Sequence, residues 1–265
     1  EASRAATQKA VDILYQISEQ VKLNQSRVGI AYNEDDLLYL KNAGKKAIFL
    51  AIENGYAIGK DIANLEMFKK MGVTYITLSH NGSNDICDSA KGEPEHNGLS
   101  DFGRQVVKEM NRLGIIVDIS HANAKTVQDV LETSEAPIIA SHSSARALRD
   151  HPRNLTDDQI RAIADKGGVV QVCLYNSFLS AQPNPTILDA VAHINHIVRL
   201  VGIDHVGIGT DFDGDDTEKL IGCRAANELI NLTVELLREG YTPEELHKLW
   251  GDNILRVLSA VQKPY

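Results

Sequence analysis

Two histidines stand at the ends of two short apolar runs, and these positions suggest a shared chemical role. His121 ends the run 114–121 and His142 ends the run 137–142, each directly after a serine. Apolar runs bounded by Gly or Pro are typical of strands buried on both faces of a parallel sheet. The residue that ends such a strand lies at its carboxyl edge, where α/β proteins collect ligands and catalytic groups. The repeated pattern favours two imidazoles in one site over two isolated capping residues.

Three further polar residues end other apolar runs of the same kind: Glu53, His80 and Asp211. Glu53, His121 and His142 together form an oxygen and nitrogen ligand set that suits zinc or a similar divalent ion. Asp211 adds a carboxylate at a fourth strand end. The sequence therefore predicts a metal site built from the ends of several strands.

The elements that must position these residues alternate regularly along the chain. Predicted strands cover 47–53, 73–80, 114–121, 137–142, 168–174 and 205–211. Predicted helices cover 4–23, 33–40, 62–71, 100–113, 123–134, 156–166, 186–201, 224–239 and 243–258. Strands that alternate with helices at intervals of about 30 residues indicate a parallel sheet with right-handed crossovers.

The number of strands bears on the architecture. An open doubly wound sheet would accommodate six strands, but it concentrates its site at one switch point. Polar residues end five of the six predicted strands, which suits the mouth of an eight-stranded barrel better. We therefore predict an α/β fold, a (β/α)8 TIM-type barrel forming one domain over 1–265. On this interpretation the first two strands are missing from the chain, so that the domain is incomplete at its N-terminus.

Composition limits the classes of partner. Lys plus Arg number 27 against 36 Asp plus Glu, a net charge of −9, which argues against nucleic acid or an anionic membrane as partner. No apolar run approaches the roughly 20 residues of a membrane-spanning helix, and the first residues contain no signal-peptide core. Three widely spaced cysteines form no CxxC pair, so neither a disulfide framework nor a thiolate zinc site is indicated. We expect a soluble protein, cytoplasmic or exported with its leader removed.

Several segments, in order from about residue 40 to the C-terminus, resemble one family. They are Ile52-Glu53-Asn54-Gly55, Leu78-Ser79-His80-Asn81, Asp118-Ile119-Ser120-His121, Ala140-Ser141-His142-Ser143, His151-Pro152-Arg153-Asn154, the run 207–214, and 251–256. This set resembles the membrane (renal) dipeptidases, zinc metallopeptidases with an amidohydrolase-like barrel. The resemblance implies a metal-dependent hydrolase.

The resemblance also implies a ligand set. Glu53 would bridge two zinc ions, His121 and His142 would complete one of them, and Asp211 would approach the other. Family members carry a His-x-Asp motif on the first barrel strand, and no His precedes His80 in this chain. We therefore expect two zinc ions in an intact protein, and one or fewer held firmly by this chain.

The remaining roles that the resemblance implies concern the substrate. His80 would hydrogen-bond the oxyanion of the tetrahedral intermediate, Arg153 would hold the substrate carboxylate, and Asp211 would manage protons. A positioned hydrogen-bond donor stabilises a developing oxyanion, and a guanidinium binds a carboxylate through two parallel hydrogen bonds, so both roles are chemically reasonable. The expected partner is a small peptide, and a homodimer is left open.

Four functions are alternatives for this site. The first is a zinc dipeptidase that cleaves short peptides with a free C-terminus. The second is another amidohydrolase-type activity, such as deacylation or lactam opening, with the long polar loop 81–98 shaping a different pocket. The third is a non-catalytic barrel that binds peptide or metal. The fourth, a barrel that binds phosphate through Gly207 and Gly209, leaves the strand-end histidines unexplained.

The other histidines receive structural interpretations. His193 and His196 lie on one face of a predicted outer helix, away from the barrel mouth. His205 opens a strand at the opposite edge, and His247 is expected on an exposed helix. His96 lies in the long polar loop, and a position near the substrate is one of the two interpretations left open for it.

Overall fold

The computed structural model describes residues 2–214 and 220–262. The chain divides into two compact units, unit 1 with Glu1–Pro137 and Leu255–Tyr265, and unit 2 with Ile138–Ile254. In both units parallel strands alternate with helices, so the α/β class predicted from the sequence is confirmed. A single domain over 1–265 stays a prediction.

Unit 1 contains five strands in two parallel groups. The strands are β1 (Val28–Ile30), β2 (Lys46–Ile48), β3 (Leu50–Glu53), β4 (Val73–Thr77) and β5 (Ile116–Asp118). β1 pairs with β2, while β3, β4 and β5 follow one another in that order. The helices are α1 (Ala2–Leu23), α2 (Glu34–Asn42), α3 (Ala63–Lys70), α4 (Asp101–Leu113) and α5 (Ala124–Thr133).

Side-chain caps explain where the helices of unit 1 begin. The side chains of Asn33, Ser100 and Asn123 each accept a hydrogen bond from a backbone N–H in the first turn of α2, α4 and α5. Gly114 ends α4 in the left-handed region, with φ +68°, which favours glycine. The predicted limits of these helices are therefore right to within one or two residues.

One predicted strand of unit 1 is wrong. The apolar run 47–53 is split into β2 and β3, which pair with different strands. The sequence does not predict β1, the partner of β2. This strand has only three half-exposed residues, and they show neither alternation nor a continuous apolar run. The described residues therefore contain eight strands rather than six, and β3 pairs only with β4.

Unit 2 contains three parallel strands and most of the remaining helices. The strands β6 (Ile139–Ala140), β7 (Val169–Cys173) and β8 (Val206–Gly209) follow one another in that order. The helices are α6 (Asp157–Asp165), α7 (Asn176–Leu179), α8 (Ile187–Val201), α9 (Leu229–Arg238) and α10 (Pro243–His247). Capping boxes at Thr156, Thr186 and Thr242 fix the starts of α6, α8 and α10.

Two predicted helices of unit 2 are less regular than expected. The segment 224–239 enters α9 through a 3-10 turn, Ala226–Glu228. The segment 243–258 is interrupted by a π-helical turn, Lys248–Asp252, before α11 (Asn253–Gln262), whose residues from Leu255 onward belong to unit 1. Gly251 lies inside this turn, where helix propensity is low.

Within the described parts of the chain, no helix combines the length and apolar character needed to cross a bilayer.

Candidate active site

Unit 1 brings three of the predicted site residues together. Glu53 ends β3, while His80 and His121 each lie three residues beyond the ends of β4 and β5. Their ligand atoms all lie within 4.8 Å of one another. Nε2 of His121 is 3.1 Å from Oε1 of Glu53, and the His80 and His121 ring centroids are 4.4 Å apart. We refer to these three residues as the unit 1 cluster.

The donor set of the unit 1 cluster fits a divalent metal ion. One carboxylate and two imidazoles are hard or borderline ligands, the types that bind zinc in hydrolases. The Glu53 side chain is 46% exposed whereas that of His121 is 8% exposed. The cluster therefore combines one buried imidazole with a carboxylate that is open to solvent.

The backbone at the cluster is held in an unusual conformation. His121 has φ +68° and Asn54, next to Glu53, has φ +86°, values that few residues other than glycine adopt. The Asn54 side chain accepts a hydrogen bond from the Tyr56 N–H and another from the Asn84 side chain. Such strain is found at functional sites where surrounding contacts maintain it.

The long loop after His80 connects the two histidines of the cluster. The hydroxyl of Ser89 donates to the backbone carbonyls of both His80 and His121. The N–H of Ala90 also donates to the His121 carbonyl, at 2.7 Å. The sequence predicts for this loop only a part in shaping a pocket, because the two contacts join residues 9 and 32 positions apart.

Asp88 anchors the same loop from inside the protein. This buried side chain accepts hydrogen bonds from the backbone N–H groups of Glu95, His96 and Gly98, at 2.7–3.0 Å. Burial disfavours the charged form, but these donors outweigh it and lower the pKa of Asp88. Nε2 of His96 forms a hydrogen bond with the Asn84 carbonyl at 2.7 Å, and this contact stabilises the loop. A contact between His96 and the substrate stays a prediction.

Unit 2 brings two more predicted ligands together. His142 follows β6 and Asp211 follows β8, and their ligand atoms lie within 4.8 Å of one another. The Ser141 hydroxyl lies 2.7 Å from Nδ1 of His142 and so orients the imidazole ring. Asp211 has φ +55°, a third position near a strand end with positive φ.

Gly209, at the end of β8, is required by this packing. A Cβ atom there would lie 2.0 Å from the carbonyl oxygen of Ser141 and 3.0 Å from Cα of His142. No side chain fits at that distance without displacing the strand end that carries His142.

Arg153 is held against the same segment. Its guanidinium donates to the His142 carbonyl at 3.1 Å and to the Ser143 hydroxyl at 3.4 Å, and it lies 5.1 Å from the centroid of the Phe178 ring. The residue is only 7% exposed. Burial, reinforced by the charges of Arg149 and Arg153, lowers the pKa of His151. A buried guanidinium beside His142 suits the recognition of a carboxylate.

The structural interpretations of the helical histidines are supported. In His193, Nδ1 accepts from the Ala145 N–H and Nε2 donates to the Leu179 carbonyl, both at 3.0 Å. Nε2 of His196 lies 2.7 Å from Oδ1 of Asp157. Within the described part of the chain, neither histidine belongs to a group of three potential metal ligands.

An α/β fold with histidine and carboxylate ligands at strand ends is the arrangement of metal-dependent hydrolases. The model of the membrane dipeptidase family, peptidase family M19, matches residues 1–264. The chain belongs to this family.

Two known relatives are also dipeptidases by name. The chain is 35% identical over 263 residues to the dipeptidase tcpJ of Claviceps purpurea, covering 98% of this chain and 61% of that protein. A second relative, the uncharacterized dipeptidase C965.12 of Schizosaccharomyces pombe, is 39% identical over 232 residues, 84% of this chain and 55% of that protein. The chain thus spans little more than half the length of these relatives.

The fold of the chain is similar to that of solved peptidases. The probable dipeptidase PvdM of Pseudomonas aeruginosa has a TM-score of 0.90 and 31% identity, covering 95% of this chain and 78% of that one. A metallo peptidase of Rhodobacter sphaeroides, liganded with a phosphinate mimic of L-Ala-D-Ala, has a TM-score of 0.84 and 28% identity, covering 91% and 70%. The barrel type predicted from the sequence is therefore confirmed as a fold class.

Proposed function

We propose that this chain carries the metal-binding and substrate-binding residues of a zinc dipeptidase, which hydrolyses the amide bond of dipeptides with a free C-terminus. The observation that carries the proposal is the unit 1 cluster, in which Glu53, His80 and His121 converge within 4.8 Å. Membership of the dipeptidase family over residues 1–264 supports the same activity. The single domain over 1–265 is part of this proposal.

The metal ligands in this proposal are Glu53, His121, His142 and Asp211. Glu53, His121 and His142 would together hold zinc, and Asp211 would contribute a second carboxylate. When bound, zinc supplies the Lewis acidity that activates water and polarises the peptide carbonyl. The carboxylate of Glu53 is the most exposed member of the unit 1 cluster, so it is open to an ion that arrives from solvent.

The remaining residues act on the substrate and its protons. The imidazole N–H of His80 donates to the carbonyl oxygen as it becomes negatively charged in the tetrahedral intermediate. A carboxylate oxygen of Asp211 accepts the proton of the attacking water and delivers it to the leaving amine. The guanidinium of Arg153 binds the substrate carboxylate and so orients the peptide bond.

A chelation experiment tests the proposal. Purified full-length protein is treated with a chelator, dialysed and assayed on a panel of dipeptides and on matched N-acyl amino acids. We expect dipeptide hydrolysis to disappear with chelation and to return with zinc. Faster release from the N-acyl amino acids would favour the deacylase alternative, and no turnover of either class would favour a non-catalytic binding protein.

A further inference from the structure

One row of residues crosses the three strands of unit 1 that lead to the unit 1 cluster. Glu53 is paired with Thr77 between β3 and β4, and Thr77 is paired with Asp118 between β4 and β5. Side chains of residues in register on neighbouring parallel strands point to the same face of the sheet. Thr77 therefore lies between the strand that ends at Glu53 and the strand that leads to His121.

Thr77 and Asp118 are hydrogen-bonded to each other inside the protein, and we refer to them as the buried pair. Oγ1 of Thr77 donates to Oδ2 of Asp118 at 2.6 Å, and the two residues are 1% and 0% exposed. A hydroxyl that donates to a carboxylate forms one of the shorter and stronger hydrogen bonds of proteins. Because each residue is the last of its strand, this bond fixes the separation of β4 and β5 at their carboxyl ends.

Thr77 also holds the segment that carries Glu53. Its carbonyl accepts a hydrogen bond at 3.1 Å from the N–H of Asn54, the residue after Glu53. Among the described strands β3 pairs with β4 alone, so its hydrogen bonds to a neighbouring strand come from β4. A displacement of Thr77 would therefore shift the end of β3, which carries the Glu53 carboxylate.

Asp118 holds the segment that carries His121. Its Oδ1 accepts a hydrogen bond at 3.1 Å from the N–H of Ser120, and Ser120 directly precedes His121. The contact lies just before the histidine, where the backbone adopts the positive φ of +68°. Both oxygens of the Asp118 carboxylate are thus engaged, one by β4 and the other by the segment before His121.

We propose that Thr77 and Asp118 are positioning residues, whose hydroxyl-to-carboxylate hydrogen bond sets the spacing between the Glu53 carboxylate and the His121 imidazole. The inference rests on the proposed function, in which both of these side chains bind the metal ion. Nε2 of His121 lies 3.1 Å from Oε1 of Glu53, a separation that suits two ligands bound to one zinc ion at about 2.0–2.2 Å. Such ligands must be held to within about 0.5 Å of the productive geometry. The buried pair provides this precision through the strand ends.

Removing the hydroxyl alone tests the link. Thr77→Val keeps the shape of the side chain and the backbone contact with Asn54, whereas Thr77→Ser keeps the hydroxyl. Zinc is titrated by calorimetry into the full-length apoprotein of the wild type and of each variant. We expect Thr77→Val to bind zinc about tenfold or more weakly, the range found for residues that orient metal ligands, and Thr77→Ser to retain the wild-type affinity.

Thr74→Val is the matched control. Thr74 lies near the opposite end of β4 and is 3% exposed, and its hydroxyl donates to the Leu50 carbonyl at 2.9 Å. The substitution therefore removes a buried hydrogen bond between the same pair of strands that hold Glu53, but at their amino ends. It should lower the melting temperature and leave the zinc affinity unchanged. An unchanged affinity in Thr77→Val would overturn the proposal, and so would an equal loss in Thr77→Ser or Thr74→Val.

The absorption spectrum of bound Co²⁺ gives a readout that a general loss of stability does not change. Its visible bands depend on the number and arrangement of the ligands around the ion. We expect the spectrum of cobalt-saturated Thr77→Val to differ from that of the wild type, and the spectrum of Thr74→Val to match it. Identical spectra in all three proteins would overturn the claim that the buried pair sets the ligand spacing.

A second variant covers the case in which Thr77→Val does not fold, which circular dichroism will show. Combining Thr77→Val with Asp118→Asn replaces the carboxylate by a neutral amide, for which the loss of one buried hydrogen bond is less costly. We expect the combined variant to show the same loss of zinc affinity. Wild-type affinity in this protein would overturn the proposal.

Dipeptide hydrolysis by the wild type, measured beside zinc binding, separates this proposal from the proposed function. Zinc binding that depends on the Thr77 hydroxyl, in a wild type that hydrolyses no dipeptide, would support the positioning role and refute the dipeptidase assignment. Dipeptide hydrolysis with equal zinc affinity in the wild type and in Thr77→Val would do the reverse. A wild type that binds no zinc would refute both.

Discussion

Replacing Asp88 by asparagine tests whether the loop 81–98 holds the histidines of the unit 1 cluster in place. The carboxylate receives three backbone N–H groups, two on Oδ1 and one on Oδ2. Hydrogen bonds to a charged group contribute about 1.5–3 kcal/mol each. In Asp88→Asn an oxygen remains for two donors, but the NH₂ group faces the Gly98 N–H. We therefore expect the free energy of unfolding to fall by about 2–4 kcal/mol.

The assay is urea unfolding followed by far-UV circular dichroism, together with zinc titration by calorimetry. Domains of ordinary stability, about 5–15 kcal/mol, remain folded after such a loss. Because Ser89 and Ala90 follow directly and bond the carbonyls of His80 and His121, zinc affinity should fall about tenfold or more. Asp101→Asn is the control: it makes the same change of charge at an exposed residue in the first turn of α4 and should cost less than about 1 kcal/mol.

The pH dependence of stability provides an independent check. The pKa of Asp88 is lowered in the folded state, so its contribution is fully present above the unfolded value of about 3.9 and is lost as the pH falls through the folded value. The difference in stability between the wild type and Asp88→Asn should therefore shrink progressively as the pH falls below about 4. A loss no larger than that of Asp101→Asn, or one independent of pH, would refute the anchoring role.

Three further substitutions test unit 2. Arg153→Gln should lower kcat/KM for dipeptides with a free carboxylate about a hundredfold and for dipeptide amides far less; equal losses in steady-state kinetics would contradict carboxylate recognition. Gly209→Ala should destabilise the protein by about 1–3 kcal/mol in urea unfolding, because the added Cβ lies 2.0 Å from the Ser141 carbonyl; unchanged stability would argue against this packing. Burial lowers the pKa of His193, so its contribution to stability is present above about pH 6.5 and is lost as the pH falls through the folded value. His193→Gln should flatten the fall in melting temperature between about pH 7 and pH 5, and an unchanged slope would assign that fall to other groups.

Much of the fold is predictable because local signals agree with the tertiary structure. Asn33, Ser100 and Thr156 are N-cap residues that the sequence shows plainly, and each caps its helix. The strand ends that carry Glu53 and His121 also follow from apolar runs that stop at a polar residue. Such elements can be predicted because the local sequence preference agrees with the packing of the folded protein.

The parts that could not be predicted depend on contacts between distant residues. The break between β2 and β3 exists because β2 pairs with β1, a strand too short to leave a pattern. The hydroxyl of Ser89 reaches His121 across 32 positions, and no spacing rule anticipates such a contact. α7, a helix of four residues, is likewise shorter than any periodic signal.

Zinc titration of the apoprotein tests the central claim most directly, namely that Glu53 and His121 of the unit 1 cluster hold a catalytic metal ion. Calorimetry on the wild type, Glu53→Gln, His121→Ala and the control His247→Ala gives affinity and stoichiometry without reference to turnover. We predict tight binding by the wild type and by the control, and a loss of about a hundredfold or more in the two cluster variants. Zinc binding that is equally tight in all four proteins would contradict the account.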